Sequence, residues 1–150
     1  MSLQVPKKRV FLTVDFVGDK RIQGNIFLSP QSGLHYGEER VIDMLNDATS
    51  FFPFELEGTS AIRIINKENI ISVGATEDLP AEEGLGKKET ITVVLSNGRN
   101  ISGELIIDQP EYKARVLDFF NSGERRFFRL FTESETYYIN ISHVIEVAPS

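Results

Sequence analysis

Apolar and polar residues alternate with a period of two along four segments of the chain, which predicts four strands arranged as two hairpins. In the second half the alternating segments are residues 91–95 and 101–107, with Asn97-Gly98 between them. An Asn-Gly pair is typical of a tight turn whose central residues need positive φ. The corresponding parts of the first half are residues 11–17, the turn at Gly18-Asp19 and residues 22–28.

A helix is predicted after each hairpin. In the second half Asp108 and Glu111 have the spacing of a capping box, Pro110 suits a first helical turn, and Gly123 can end the helix. The buried stripe at i, i+4, i+7 and i+8 is Tyr112, Val116, Phe119 and Phe120. In the first half the helix is expected at about residues 38–47, with Val41, Met44 and Leu45 as its buried stripe.

Three short strands close each half, and the last two are separated by a turn. We expect them at residues 51–57, 61–65 and 70–73, and at residues 127–132, 136–139 and 144–147, with the turns at 66–69 and 140–143. The order in each half is strand, strand, helix, strand, strand, strand. The fold class is therefore mainly β, with one helix in each half.

The two halves are copies of one unit. Ile22-Gln23-Gly24-Asn25-Ile26 returns as Ile101-Ser102-Gly103-Glu104-Leu105, and the offset drifts from 79 to 74 toward the end of the units. The units span residues 9–74 and 89–148, and residues 75–88 form an acidic linker between them. A unit of roughly 60 residues is marginally stable alone, so we expect the units to pack together as a pseudo-dimer.

Folding alone accounts for the polar and glycine positions that recur in both units. A mid-strand glycine permits strong bending, an Arg and an Asp at i, i+3 can form an ion pair, and Asn suits helix ends and turns. An alternative is that one partner of each ion pair orients its helix on the sheet. The recurring residues are Gly24, Gly103, Arg40, Asp43, Arg115, Asp118, Asn46, Asn121, Asn66 and Asn140.

Two segments resemble the motifs of the Sm-like family. Residues 91–105, a strand, an Asn-Gly turn and a return strand with a fixed glycine, resemble the first Sm motif. Residues 64–73, a strand, a tight turn and a final strand, are similar to the second. Arg40-Val41-Ile42-Asp43 and its repeat are also similar to a bacterial domain family of uncharacterised function.

The Sm resemblance implies two tandem small β-barrels whose edge strands tend to pair and to assemble in rings. The chain departs from the family pattern because its helix follows the first hairpin instead of preceding it. Asp108 can match the family's RNA-binding Asp, but no matching Asn follows, and Asn66-Lys67 and Asn140-Ile141 replace an Arg-Gly pair. The family's RNA-binding residues therefore do not carry over to this chain.

Composition and net charge limit the functions and ligands that the chain can have. The net charge of −6 disfavours nucleic acid and anionic membranes, and no apolar run approaches 18 residues. Cysteine is absent, and neither His35 nor His143 has a second ligand at metal spacing. We therefore expect a cytoplasmic protein that is not an enzyme and holds no cofactor and no metal.

Aromatic and basic residues give the candidate partner surface. Of two neighbours on a strand only one faces the core, so each Phe-Phe pair sends one ring elsewhere. Those rings form either the interface between the units or a surface for a partner. The candidate residues are Phe51, Phe52, Phe127, Phe128, Arg125, Arg126 and Arg129.

These observations favour a protein-binding or assembly module whose partner is a protein, and homo-oligomers are compatible with it. Arginines among aromatics can also bind single-stranded nucleic acid, which makes an RNA-binding module the alternative. An enzyme of unknown class ranks third. We expect function where the copies differ, in the loop at residues 29–37, the linker and the three arginines.

Overall fold

The structure, a computed structural model, describes residues 7–30, 37–76, 86–108 and 115–149. The described elements are β1 (Lys8–Phe16), β2 (Lys20–Leu28), α1 (Val41–Asn46), β3 (Phe51–Leu56), β4 (Ile62–Asn66), β5 (Ile70–Ala75), β6 (Lys87–Leu95), β7 (Asn100–Ile107), α2 (Val116–Asn121), β8 (Phe127–Phe131), β9 (Thr136–Asn140) and β10 (Val144–Pro149). Short 3₁₀ turns at Lys67–Asn69 and Ile141–His143 join the last two strands of each unit. Neither described helix has the length or the apolar character to span a bilayer.

The ten described strands form one antiparallel sheet in the order β10-β6-β7-β8-β9-β5-β1-β2-β3-β4. Each unit contributes its strands in the order fifth, first, second, third, fourth. The fourth strand of the second unit, β9, pairs with the fifth strand of the first, β5. The mainly β class and the order of elements are confirmed. The sheet is open, and the finer expectation of two tandem Sm-like barrels stays a prediction.

The first helix is shorter than the sequence pattern predicts. The helix expected from residue 38 begins at Val41, because the Asp43 carboxylate accepts the backbone N–H of Arg40 at 2.8 Å and so caps the first turn. The buried stripe of Val41, Met44 and Leu45 is confirmed. In α2, Phe119 is buried and Gly123 has the positive φ of a helix end. Pro110, Glu111 and Tyr112 lie outside the described residues.

Two apolar cores lie against the sheet, and each takes side chains from both units. The first core is built on β1, β2, α1, β3 and β5, and it includes Phe127 and Tyr138 of the second unit. The second core is built mainly on β6, β7, α2, β8 and β9, and it includes Ile71 of the first unit. The two units are thus joined by exchanged core residues as well as by strand pairing.

The repeated glycines allow the third strand of each unit to approach the second closely. A Cβ atom on Gly24 would collide with the backbone carbonyl oxygen of Glu55 in β3. A Cβ atom on Gly103 would lie 2.6 Å from the carbonyl oxygen of Phe131 in β8. Glycine is needed at these positions because another backbone occupies the space of a side chain.

We expect Gly24→Ala and Gly103→Ala each to lower the free energy of unfolding by about 1–3 kcal/mol or more, since backbone must move to admit the methyl group. The larger loss is expected at Gly24, where the collision is closer. Ser102→Ala, on an exposed neighbouring position, is the control; it removes one exposed hydrogen bond to Thr92 and should change stability by less than about 1 kcal/mol. Urea denaturation measures all three variants, and a loss at Gly24 no larger than that at Ser102 would contradict this account.

Candidate functional site

The junction between the units is an antiparallel ladder of β5 and β9. Its register pairs Ser72 with Ile139, Val73 with Tyr138, Gly74 with Tyr137 and Ala75 with Thr136. Ile71, Val73 and Ala75 are buried on the β5 side, and Tyr138 and Ile139 are buried on the β9 side. The junction is therefore an interior part of the sheet, with the same burial as the strands within each unit.

Asn140 closes one end of this junction. Its Oδ1 accepts the N–H of Ser142 at 3.0 Å, which confirms the predicted turn. Its Nδ2 donates to the carbonyl oxygens of Ile70 at 3.0 Å and Lys67 at 3.4 Å, both in the first unit. The side chain is 2% exposed, so these bonds satisfy a buried amide. Turn chemistry alone does not predict the bonds that cross to the other unit.

Asn46 links α1 to the first residues of β8. Its Oδ1 accepts the N–H groups of Phe127 at 2.8 Å and Arg126 at 3.1 Å, and its Nδ2 donates to the carbonyl oxygen of Phe127 at 3.0 Å. Asn46 and Asn121 are the last residues of their helices, as expected. Neither residue has the left-handed conformation that often makes Asn suitable at a helix end, because Asp19 alone among the described non-glycine residues has positive φ. At Asn46 the amide is used across the junction instead.

An ion pair reinforces the same junction from β1. Asp15 is 8% exposed and accepts Arg21 Nε at 2.6 Å and Arg99 Nη1 at 2.8 Å. The hydrogen bond and the charge of Asp15 raise the pKa of Arg21. Arg99 belongs to the second unit and lies 84 residues from Asp15, a separation that offers no local sequence signal. Sequence reasoning missed this pair.

His143 also lies at the junction. Its Nδ1 is 3.1 Å from Ser96 Oγ and its Nε2 is 3.1 Å from the carbonyl oxygen of Glu68 in the first unit. His35 lies outside the described residues. No group of metal-ligating side chains occurs in the part of the chain that the structure describes.

Lys67 holds the end of α1 and is fully buried, at 0% exposure. Its Nζ donates to the carbonyl oxygen of Met44 at 2.6 Å, to Asp47 Oδ1 at 2.7 Å and to Thr49 Oγ1 at 3.1 Å. Burial opposes ionisation of Asp47, but the hydrogen bonds from Lys67 and Thr49 outweigh it and lower the pKa of this carboxyl. Ile141 stands at the corresponding position of the second unit, so this contact belongs to the first unit alone.

The repeated Arg and Asp residues pair at the start of each helix. Arg40 Nη2 lies 3.2 Å from Asp43 Oδ1, and Arg115 Nε lies 2.8 Å from Asp118 Oδ2. Arg40 and Arg115 are the N-cap residues, so each pair joins a cap to the first turn.

The candidate aromatic and basic residues do not form one surface. Phe52, Phe127 and Phe128 are 5%, 0% and 1% exposed, whereas Phe51 is 53% exposed. Three of the four rings are therefore core residues, and the ring of Phe51 faces outward. This placement agrees with core roles for Phe127 and Phe128, and Phe51 is the one exposed ring of the four.

Two of the three arginines lie over phenylalanine rings. Arg125 lies 4.6 Å from the Phe119 centroid, and burial lowers the pKa of its guanidinium. Arg129 lies 5.7 Å from the Phe131 centroid. Arg126 keeps one buried nitrogen, Nη1, without a hydrogen-bond partner. These cations are partly covered by the protein itself.

A cleft of about 680 Å³ lies between α1 and the second unit. Positively and negatively charged side chains line the cleft, together with phenylalanines from α2 and β8. Among its described lining residues there is no Ser, Thr, Tyr, His or Lys that could act as a nucleophile. The ionic residues of the lining are Arg40, Asp43, Asp108, Glu124, Arg125 and Arg129.

Among the described strands, β4 and β10 lie at the two ends of the sheet and each pairs with one strand only. Seven large apolar side chains are exposed among the described residues, and four of them lie at these two ends. On the β4 side they are Phe51 at 53%, Ile62 at 48% and Ile64 at 67%, and on β10 the residue is Ile145 at 65%. The apolar surface is therefore concentrated where backbone hydrogen-bonding groups are also free.

Comparison of the chain with protein-family models, with curated proteins and with solved structures finds no match in any of the three.

We expect Asp47→Asn to lower the free energy of unfolding at neutral pH by about 1–3 kcal/mol, because buried Lys67 loses its carboxylate. A lowered pKa means that the Asp47 contribution is present above the ordinary carboxyl value of 3.8 and is lost as the pH falls through the folded-state pKa. The difference in unfolding free energy between Asp47→Asn and the parent chain should therefore become smaller as the pH falls. Urea denaturation at a series of pH values measures this.

Asp19→Asn is the matched control for Asp47→Asn. It lies in an exposed turn with φ of 57°, a conformation that asparagine also adopts. The unfolding free energy of Asp19→Asn should equal that of the parent chain at every pH. If the difference in unfolding free energy between Asp47→Asn and the parent chain were also independent of pH, the contact of Lys67 with Asp47 would not contribute the expected charge interaction.

Proposed function

We propose that this protein is a non-enzymatic assembly module that binds protein partners by adding strands at the two open ends of its sheet. The observation that carries the proposal is the coincidence of free strand edges with exposed apolar side chains. Ile64 on β4 and Ile145 on β10 are 67% and 65% exposed, and their strands are the two end strands of the described sheet.

Free edges of this kind are normally protected. Soluble proteins cover an edge strand, shorten it, or place charged residues and proline on it, because an open apolar edge pairs with other chains. Here β4 carries the sequence Ile62-Arg63-Ile64-Ile65-Asn66, with one charge in five residues. Strand addition supplies backbone hydrogen bonds for affinity and side-chain contacts for selectivity. The β4 edge is therefore suited to pairing with a protein, whereas β10 carries Glu146 and Pro149 and is partly protected.

We also propose that each unit is an Sm-like small barrel. In support, both units keep the same strand order with a single helix, and the Gly24 and Gly103 positions bring the third strand unusually close to the second. The absence of cysteine is compatible with the cytoplasm, which we propose as its compartment.

Single-stranded nucleic acid is the less supported alternative. Base stacking needs an accessible aromatic face, and Phe127 and Phe128 are 0% and 1% exposed. The guanidinium of Arg125 already covers the ring of Phe119. The net charge of −6 adds general repulsion of a phosphate backbone.

We expect no complex with single-stranded RNA in a gel-shift titration at low salt and micromolar protein, because the positive charges are local and the rings are covered. Low salt favours any phosphate-driven binding, so the condition is the most permissive one. A salt-sensitive complex that Arg125→Ala or Arg129→Ala weakens would support the RNA alternative and contradict the assembly proposal.

We expect the charged edge variants Ile64→Lys and Ile145→Lys to lose the proteins that the parent chain captures from a native extract. The matched control is Phe11→Lys, which places the same charge at an apolar residue that is 46% exposed on the internal strand β1. Quantitative mass spectrometry of each capture is the measurement. Captured proteins that are equal for the parent, both edge variants and the control would overturn binding through the edges.

A further inference from the structure

We propose that the cleft between α1 and the second unit binds a small zwitterionic molecule with an apolar body, the chemistry of a free apolar amino acid. The cleft volume of about 680 Å³ lies within the range of about 300–1,000 Å³ that is typical of ligand pockets. None of the described lining residues belongs to β4 or β10. The site is therefore separate from the sheet edges, and it does not depend on the proposed protein binding.

The cleft exists because the two units are joined. Residues of α1 and its N-cap line one side, and residues of β7, α2 and β8 line the other. Asn46 connects the two sides, since its amide bonds the N–H of Phe127 at 2.8 Å and the carbonyl oxygen of Phe127 at 3.0 Å. These bonds hold the cleft in shape before a ligand arrives, which lowers the entropic cost of binding.

The apolar part of the lining suits an apolar ligand body. The rings of Phe119 and Phe128 pack edge to face with centroids 5.9 Å apart, an arrangement that fixes both rings in place. Each of the two is 1% exposed, so they form a rigid base beneath the other side chains. The partly exposed apolar residues of the lining, which a ligand can contact, are Ile42, Ile106 and Phe131.

Arg125 is the group that would hold a carboxylate. Its guanidinium lies 4.6 Å from the Phe119 centroid and donates no hydrogen bond to any described residue. Its ion pair with Glu124 is 3.9 Å long, which exceeds hydrogen-bond length. Burial lowers the pKa of Arg125, because the charged form has lost water without gaining such a bond. A carboxylate in the cleft would supply the missing bonds, for which the planar guanidinium has matching geometry.

Asp108 is the group that would hold an ammonium. It follows the last residue of β7, lines the cleft, and forms no hydrogen bond or ion pair with the described residues. Its charge partly offsets the effect of burial on the pKa of Arg125, so the two groups are near each other without being in contact. A ligand that carries a carboxylate and an ammonium group can satisfy both at once.

The sum of the charges favours a ligand without net charge. Three arginines and three carboxylates line the described part of the cleft, so their charges cancel. One pair is internal, since Arg40 Nη2 lies 3.2 Å from Asp43 Oδ1. A lining with no net charge offers little attraction to a polyanion such as a nucleotide, whereas separated charges of both signs complement a zwitterion.

The fold does not require the charges that the proposal uses. The first unit builds the same succession of strands and helix without charged residues at three corresponding positions. Those positions are Ser29, Thr49 and Pro53, which correspond to Asp108, Arg125 and Arg129. The ionic groups are therefore a property of the second unit alone, in a part of the chain where the two copies differ.

Isothermal titration calorimetry of the full chain with phenylalanine and two analogues tests the ligand class. N-acetylphenylalanine keeps the carboxylate and lacks the ammonium, and phenethylamine keeps the ammonium and lacks the carboxylate. Phenylalanine should bind, and each analogue should bind about tenfold more weakly or worse, because each loses the hydrogen bonds of one charged group.

Two substitutions locate the site. Arg125→Met should weaken phenylalanine binding about tenfold or more and should not weaken phenethylamine binding, because phenethylamine has no carboxylate. Asp108→Asn should weaken phenylalanine binding similarly and should not weaken N-acetylphenylalanine binding. The matched controls, Arg63→Met and Asp19→Asn, make the same changes at exposed residues outside the cleft and should bind like the parent chain.

Circular dichroism of each variant reports whether it is folded. Methionine at position 125 keeps a flexible apolar chain beside the Phe119 ring, and Asp108 is exposed, so both variants should keep the fold. The comparison of phenylalanine with its two analogues uses the parent chain alone. The ligand class is therefore tested even if a variant fails to fold.

Three outcomes overturn the proposal. A parent chain that binds none of phenylalanine, leucine and methionine at millimolar concentration has no such site. Phenylalanine affinity that is equal in the parent, Arg125→Met and Asp108→Asn places binding outside this cleft. An analogue that binds as tightly as phenylalanine rejects the zwitterionic class, since one of the two charged groups then contributes nothing.

Discussion

The antiparallel pairing of β5 with β9 is the contact on which the rest of the sheet depends. It satisfies the backbone groups of both strands, and it brings Ile71, Phe127 and Tyr138 into the core of the opposite unit. Neither core is complete without the other unit, and a unit of about 60 residues has little stability to spare. The two copies should therefore unfold as one cooperative body.

Each polar contact described around this ladder includes a bond between the two units. Asn140, Asn46 and His143 each bond backbone of the opposite unit, and Asp15 accepts two arginines, one from each unit. Backbone groups are present at every position of a chain, so a side-chain amide that bonds them tolerates changes in neighbouring side chains. The units can therefore diverge in the neighbouring side chains without losing these junction bonds.

Local patterns predicted the hairpins, the closing strands, the Asn66 and Asn140 turns and the buried stripe of α1. They did not predict the junction, because alternation indicates that a residue faces a core and cannot say which core. The shorter start of α1 depends on a cap by Asp43, and the role of Asn46 depends on a strand 80 residues away. The site was expected where the copies differ in sequence, around Arg125, Arg126 and Arg129. The edge site that we propose includes Phe51, one of the predicted partner residues, and otherwise lies on β4 and β10, whose place at the ends of the sheet depends on a strand order that a single sequence does not display.

The ion pair of Asp15 with Arg99 distinguishes one neighbour from another. Arg99 finds a carboxylate only when the second unit lies beside a first unit, because a second unit carries Val94 at that position. Two second units placed side by side would leave the guanidinium facing a valine. A single buried carboxylate thus fixes which unit the second unit can join through this contact, so that the duplicated halves are no longer interchangeable.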